Sequence, residues 1–236
     1  LKSLLYEREY AINEHIRIQI PTVGRIMDDE ENYYGMVSML TAMPVDMMAQ
    51  LDDVGIDFTQ IDEYNLFLLL FRTLREKDAS LIFGDLDLRA FEPAVNPQNE
   101  TIVLRDGKTG VIIDRLIHAR IAATLRRIHS LKKNIRKPAN LTAKQYMLER
   151  ARIEMRRNAK KEIPSRMEEL IVALVNTEQF GYGFEDVQDL TIYQFNESFR
   201  QVVKKIDYDN RMHGVYAGTV SVRDLSQDDL NWLTHK

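Results

Sequence analysis

An α+β fold that is predominantly α-helical is what this sequence predicts: an N-terminal strand plus helical cluster, a small β-hairpin insertion and a helical C-terminal half. Three observations predict it. A strict two-residue alternation occurs near the start, in "EHIRIQIP"; a hairpin signature, "TIVLRDGKTGVII", lies in the middle; and apolar residues at helical spacing fill most of the rest. The changes of pattern divide the chain into residues 1–80, 81–137 and 138–236.

In "EHIRIQIP" Ile16, Ile18 and Ile20 face one way and Arg17 and Gln19 the other, a half-buried strand that Pro21 ends. Thr22 then offers a helix cap, and Gly24 argues against a long helix. Tyr33, Met36, Val37 and Leu40 have helical spacing, Pro44 breaks that helix, and "VDMMAQLDDVG" reads as a short helix closed by Gly55. A third helix carries "LFLLLF", with Thr59 as its expected cap and Asp62 three residues on. "SLIFGDLDLRAFEP" breaks the pattern, and as a strand it would put Asp85 and Asp87 on one side and Leu86 and Leu88 on the other. Pro93, Pro97 and an "NPQN" turn separate it from the hairpin, whose strands flank "DGK".

Asp114 caps the next helix, whose apolar stripe is Ile117, Ile121, Leu125, Ile128 and Leu131, with Arg115, Arg126 and Lys133 nearly opposite. Pro138 interrupts, and a second basic helix starts near Asn140 or Thr142 with only a thin stripe of Ala143, Met147, Ala151 and Met155. Ser165 and Glu168 open a further helix, "LTIYQFNESFRQVVKKI" forms the last long one, "HGVYAGTVSV" allows a short strand, and Trp232 closes the chain in a docking turn.

Charge is the main feature. Residues 1–114 carry 10 basic and 21 acidic side chains, residues 115–161 carry 15 and 2, and residues 162–236 carry 7 and 13. The net charge of −4 therefore hides an acid–base–acid polymer. No run approaches the roughly 20 apolar residues of a membrane span, no secretory signal is visible, and the absence of cysteine excludes disulfides, thiolate nucleophiles and cysteine-held metal.

Catalytic chemistry finds no purchase. The phosphate-loop glycine patterns and the nucleophile-elbow serine are missing. His118 and His129 stand eleven positions apart, about 16 Å along a helix, too far to share an ion. Asp85 and Asp87 lack a third ligand, and solvent exposure explains their alternation. The methionine run Met36, Met39, Met43, Met47 and Met48 suits an irregular helical core, or a client groove if one edge stays exposed. No catalytic residue, cofactor site or metal site is expected.

The basic block has Tyr146 as its lone aromatic between Arg115 and Lys161, so stacking platforms for single strands are absent. A net −17 elsewhere in the chain opposes approach to a polyanion. Contact with an acidic protein surface is the leading reading, on a different protein or on another copy of the chain; nucleic-acid phosphates are the runner-up. The binding residues expected are Arg115, Arg126, Arg127, Lys132, Lys133, Arg136, Lys137, Arg150, Arg152, Arg156 and Arg157.

The segments "IRIQIPTVG", "YYGMVSMLTAMP" and "QLDDVGIDFTQI", with "KKIDYDNRMHGVYAG" and "LNW" near the end, resemble morphogenesis proteins of tailed bacteriophages, especially those infecting Firmicutes and gut bacteria. The resemblance implies a non-enzymatic role in building the virion, either as a tail-assembly chaperone or as a minor structural component. Such chaperones bind the tape-measure protein, so the resemblance implies a tail protein as the acidic partner and places the expected site of action in the host cytoplasm or the virion.

Overall fold

The computed structural model describes residues 3–96, 100–158, 165–227 and 229–233. Lys160, Lys161, His235 and the end of the "NPQN" turn lie outside them.

Strands β1 (Glu9–Ala11) and β2 (Arg17–Gln19) form an antiparallel ribbon with Tyr10 opposite Ile18. Ile16, Ile18 and Ile20 are all buried, as their alternation requires. Helix α1 (Val23–Met27) is short, capped by Thr22, and its Gly24 lies where a Cβ would press within 3.3 Å of Gln188. Helix α2 (Glu30–Thr41) buries Tyr33, Met36, Val37 and Leu40. A 3-10 turn at Pro44–Met47 leads into α3 (Met48–Asp53).

Helix α4 (Glu63–Leu74) starts later than expected. Its cap is Asp62, which accepts from the Asn65 amide at 2.9 Å, whereas Thr59 is spent in a turn on Asp57. Helix α5 (Ser80–Phe83) ends at Gly84, whose φ of +61° suits a residue without a side chain. The following "DLDLRA" is not a strand: Asp87 caps a 3-10 turn at Leu88–Ala90. The expected hairpin forms as β4 (Ile102–Asp106) and β5 (Ile112–Ile113), and β3 (Phe91–Val95) adds to it in the order β3-β4-β5, with Pro93 tolerated on the outer strand.

Helix α6 (Arg115–Ile128) is capped by Asp114 and buries His118, Ile121, Ala122, Thr124, Leu125 and Ile128. Leu131 falls beyond its end and is exposed. Helix α7 (Leu141–Asn158) buries Leu148 alone. Helices α8 (Arg166–Val175), α9 (Phe184–Asp189) and α10 (Ile192–Tyr216) follow, capped in the first case by Ser165 and in the last by Thr191. Helix α10 takes the first part of the stretch expected to allow a strand, up to Tyr216, and the rest of it is turn with no strand; Trp232 docks back on the helix, its carbonyl accepting from Gln201 at 3.0 Å.

One apolar cluster runs from Leu4 to Val202 and takes residues from the ribbon, α2, α4, the sheet, α6, α8, α9 and α10. The chain's distant parts meet directly where the Val23 amide donates to Leu190 and the Ile192 amide donates to Pro21, both at 2.9 Å. A second, smaller cluster of Val45, Leu51, Phe58 and Leu66 receives Leu148 of α7.

Candidate functional site

The basic segment folds onto the acidic face of the N-terminal helices. Arg126, expected on the outer face of α6, is instead 11% exposed, donating at 2.6 Å to Glu63 Oε1 and at 2.6 Å to the Thr41 carbonyl. The buried arc of α6 is wider than the aliphatic stripe, because His118 and Ala122 extend it; Arg126 lies eight and four positions beyond them and reaches the start of α4. Lys133 takes the other Glu63 oxygen at 2.5 Å. Burial raises the Glu63 carboxyl, but the hydrogen bonds and charges of Lys133 and Arg126 outweigh it and hold the group below its ordinary value.

Three further cations are used the same way. Arg115 meets Asp62 at 2.8 Å and lies over the Tyr64 ring; Lys144 meets Asp57 at 2.6 Å over Phe58; and Arg152 bridges Asp52 at 2.5 Å and Asp53 at 3.0 Å. Of the eleven residues expected to bind a partner, Arg115, Arg126, Lys133 and Arg152 are thus engaged within the chain. The signal for these pairs was present in "LDD" and "IDE", but nothing in the sequence tells a near acid from a distant one.

The other cations are placed differently. Arg127 is half-buried, and Lys132, Arg136 and Lys137 are exposed on the linker between α6 and α7. Arg150, Arg156 and Arg157 are exposed on α7. Helix α7 has two faces. Lys144, Leu148 and Arg152 pack inward, while Tyr146, Arg150, Ile153 and Arg157, at spacings of four, three and four, share the outer side. Tyr146 and Ile153 are 59% and 64% exposed, and the Arg150 guanidinium lies 5.9 Å from the Tyr146 ring centre.

A cleft of about 790 Å³ opens between the linker and the 3-10 turn and α4. Its apolar wall is Val45, Phe58, Ile61 and Tyr64, and Arg136 and Lys137 stand on the linker side. This wall carried no periodic signal, since Phe58 and Ile61 sit in a turn segment. His118 closes one side of it, stacked on Phe67 at 4.2 Å with Nε2 buried and unpartnered, and burial pushes its pKa down to about 4. His129 is likewise pushed to about 4 by burial, and its Nε2 lies 3.0 Å from the Tyr33 hydroxyl.

Asp85 is exposed, and the other sequence candidates have structural roles. Asp87 accepts from the Arg89 amide at 3.0 Å, Met36 lies in the main core, and Met43, Met47 and Met48 pack on the second cluster. Among the described residues, no group of three or more histidines and carboxylates is arranged to hold a metal, and no helix is long and apolar enough to cross a membrane.

Residues 158–236 match the family model YomV second domain. That stretch, which contains α8, α9 and α10, is therefore similar to a phage-associated family named after a Bacillus prophage protein. No curated protein and no solved structure matches the chain.

Proposed function

We propose that this chain is a non-enzymatic phage assembly protein, a tail-assembly factor or minor structural component, that holds an acidic protein partner through its basic segment. It acts in the host cytoplasm or within the virion. The phage-associated match supports the setting. The observation that carries the contact is the outer stripe of α7, where Tyr146 and Ile153 stand in solvent and alternate with Arg150 and Arg157. An aromatic and an aliphatic anchor interleaved with arginines is the composition of an interface centre, not of a wet helix face. The inner face of the same helix shows how such a stripe docks: Leu148 enters an apolar cluster while Lys144 and Arg152 pair with Asp57, Asp52 and Asp53. The partner reads as a surface with the same pattern, an apolar hollow rimmed by carboxylates.

Arg126→Glu and Lys133→Glu are poor probes, because both side chains support the fold. The informative variants are Arg150→Glu with Arg157→Glu, and Ile153→Asp. Light scattering across a concentration series and co-purification with the phage's own tail proteins should show an association that both variants lose while circular dichroism is unchanged. A steep log–log salt dependence of binding to DNA or RNA, with no protein association, would overturn the reading in favour of phosphate binding.

A further inference from the structure

We propose that the cleft beneath the α6–α7 linker binds an extended acidic peptide segment of a partner protein, separate from the surface on the outer face of α7. This deepens the reading of the basic segment as protein-binding and rests on that reading for its setting.

Three features select such a ligand. The cleft's volume, about 790 Å³, lies in the range of built ligand sites, and Phe58, Ile61, Tyr64 and Val45 give it an apolar wall. Its charge is unbalanced in one place. Arg115, Lys133 and Lys144 on the lining are already paired with Asp62, Glu63 and Asp57, whereas Arg136 and Lys137 are exposed and make no ion pair among the described residues. The third feature is the linker backbone. Among the described residues, 132–139 form no backbone–backbone hydrogen bond, although Lys133 on Glu63 and Asn134 on Asp46 (2.7 Å) tie the linker to the opposite wall. The Arg136 amide is held by Asn134 Oδ1 at 3.3 Å and Pro138 has no N–H, but the linker carbonyls accept from no backbone amide of the chain. A tethered strip with free carbonyls is what a peptide's own amides can pair with, its alternate side chains entering pockets on one side.

The same features disfavour a small inorganic anion. Asp62 and Glu63 lie on the lining and repel a compact multiple charge, while a peptide presents carboxylates singly and can keep them toward Arg136 and Lys137. In the bound arrangement, apolar side chains lie against Phe58, Ile61 and Tyr64, and the alternating acidic ones turn to the linker cations.

The test is fluorescence anisotropy of the full chain with a labelled peptide alternating aspartate with leucine and phenylalanine. Saturable binding is expected, weakened by at least about tenfold in Arg136→Glu/Lys137→Glu, and absent for the peptide with lysine in place of aspartate. Replacing the peptide's central amides with esters should also weaken it by about tenfold, which a purely hydrophobic or anionic attachment would not show. Arg150→Glu/Arg157→Glu should bind the peptide as the natural chain does. No saturation, indifference to the Arg136 and Lys137 substitutions, equal binding of the lysine peptide, or displacement by an equimolar oligonucleotide each overturns the proposal. If the peptide fails while the α7 variants still abolish association, the cleft falls and the α7 surface stands.

Discussion

Arg126 and Lys133 share one carboxylate, yet their contributions differ because their surroundings do. Arg126 and Glu63 are 11% and 14% exposed, and Arg126 also holds the Thr41 carbonyl, so removing Arg126 leaves the poorly hydrated Glu63 with only the half-exposed Lys133 and the Thr41 carbonyl without that donor. Arg126→Ala should cost about 3 kcal/mol, whereas Lys133→Ala, with its side chain half in solvent, should cost less than about 1 kcal/mol. Urea denaturation distinguishes them, and equal costs would show that Arg126 is not sealed. The buried histidines add a pH dependence whose sign follows from burial. Both have folded pKa values near 4, below the ordinary 6.5, so the unfolded chain binds more protons between those limits. Stability is full above about pH 6.5 and falls as the pH drops toward 4, by at most about 1.4 kcal/mol per pH unit for each ring. His118→Phe keeps the stack on Phe67 and removes the titrating group, so the slope of stability against pH in that window should lessen. An unchanged slope means that His118 is wetter than its packing implies.

At the level of the secondary-structure elements, α6 and α7 are both basic but are held by different means. Helix α6 buries six residues across a wide arc, whereas α7 hangs on Leu148 and on the partly exposed pairs of Lys144 and Arg152. Exposed pairs contribute little, so α7's attachment depends chiefly on Leu148, with the partly buried Met147 beside it. Leu148→Ala should cost about 2 kcal/mol and raise hydrogen exchange across α7 far more than across α6. Ile153→Ala, on the outer stripe, should change stability by less than about 0.5 kcal/mol. If the two substitutions have equal effects on α7 exchange, the inner face is not what holds the helix.

Across the molecule, the acid–base–acid charge order becomes a fold in which the basic middle wraps the acidic N-terminal helices. The asymmetry is spent partly within the chain, and what stays outward is the linker trio and the outer side of α7. Packing is equally shared between distant parts. Ile192 and Phe195 of α10 lie in the same cluster as Ile18 and Ile20, Glu30 accepts from the Met167 amide at 3.0 Å, and the Thr22 and Thr191 backbones pair. The stretch that matches the phage-associated family therefore packs here against the N-terminal part. A fragment of residues 158–236 should lack a cooperative thermal transition, and adding residues 1–158 in trans should restore one. A sharp transition in the fragment alone would show that its own helices suffice.

Local regularities were legible from the residues: the inward isoleucines at 16, 18 and 20, the caps at Asp114 and Ser165, the "DGK" hairpin and the apolar faces of α2, α6, α8 and α10. Each depends on neighbours within one or two helical turns or across a tight turn, so spacing carries it. The exposed cations of the candidate surface, such as Arg150 and Arg157, were legible as charge. Which cations would turn inward was not. Arg126 and Arg150 look alike along the chain, and the difference comes from Glu63 and Thr41 being carried to α6 by the packing of α2 and α4. The cleft escaped for the same reason, since its wall and its cations come from segments about seventy residues apart. Composition and periodicity specify what each segment can bury; the charges that remain for a partner depend on which carboxylates the folded chain has already brought within reach.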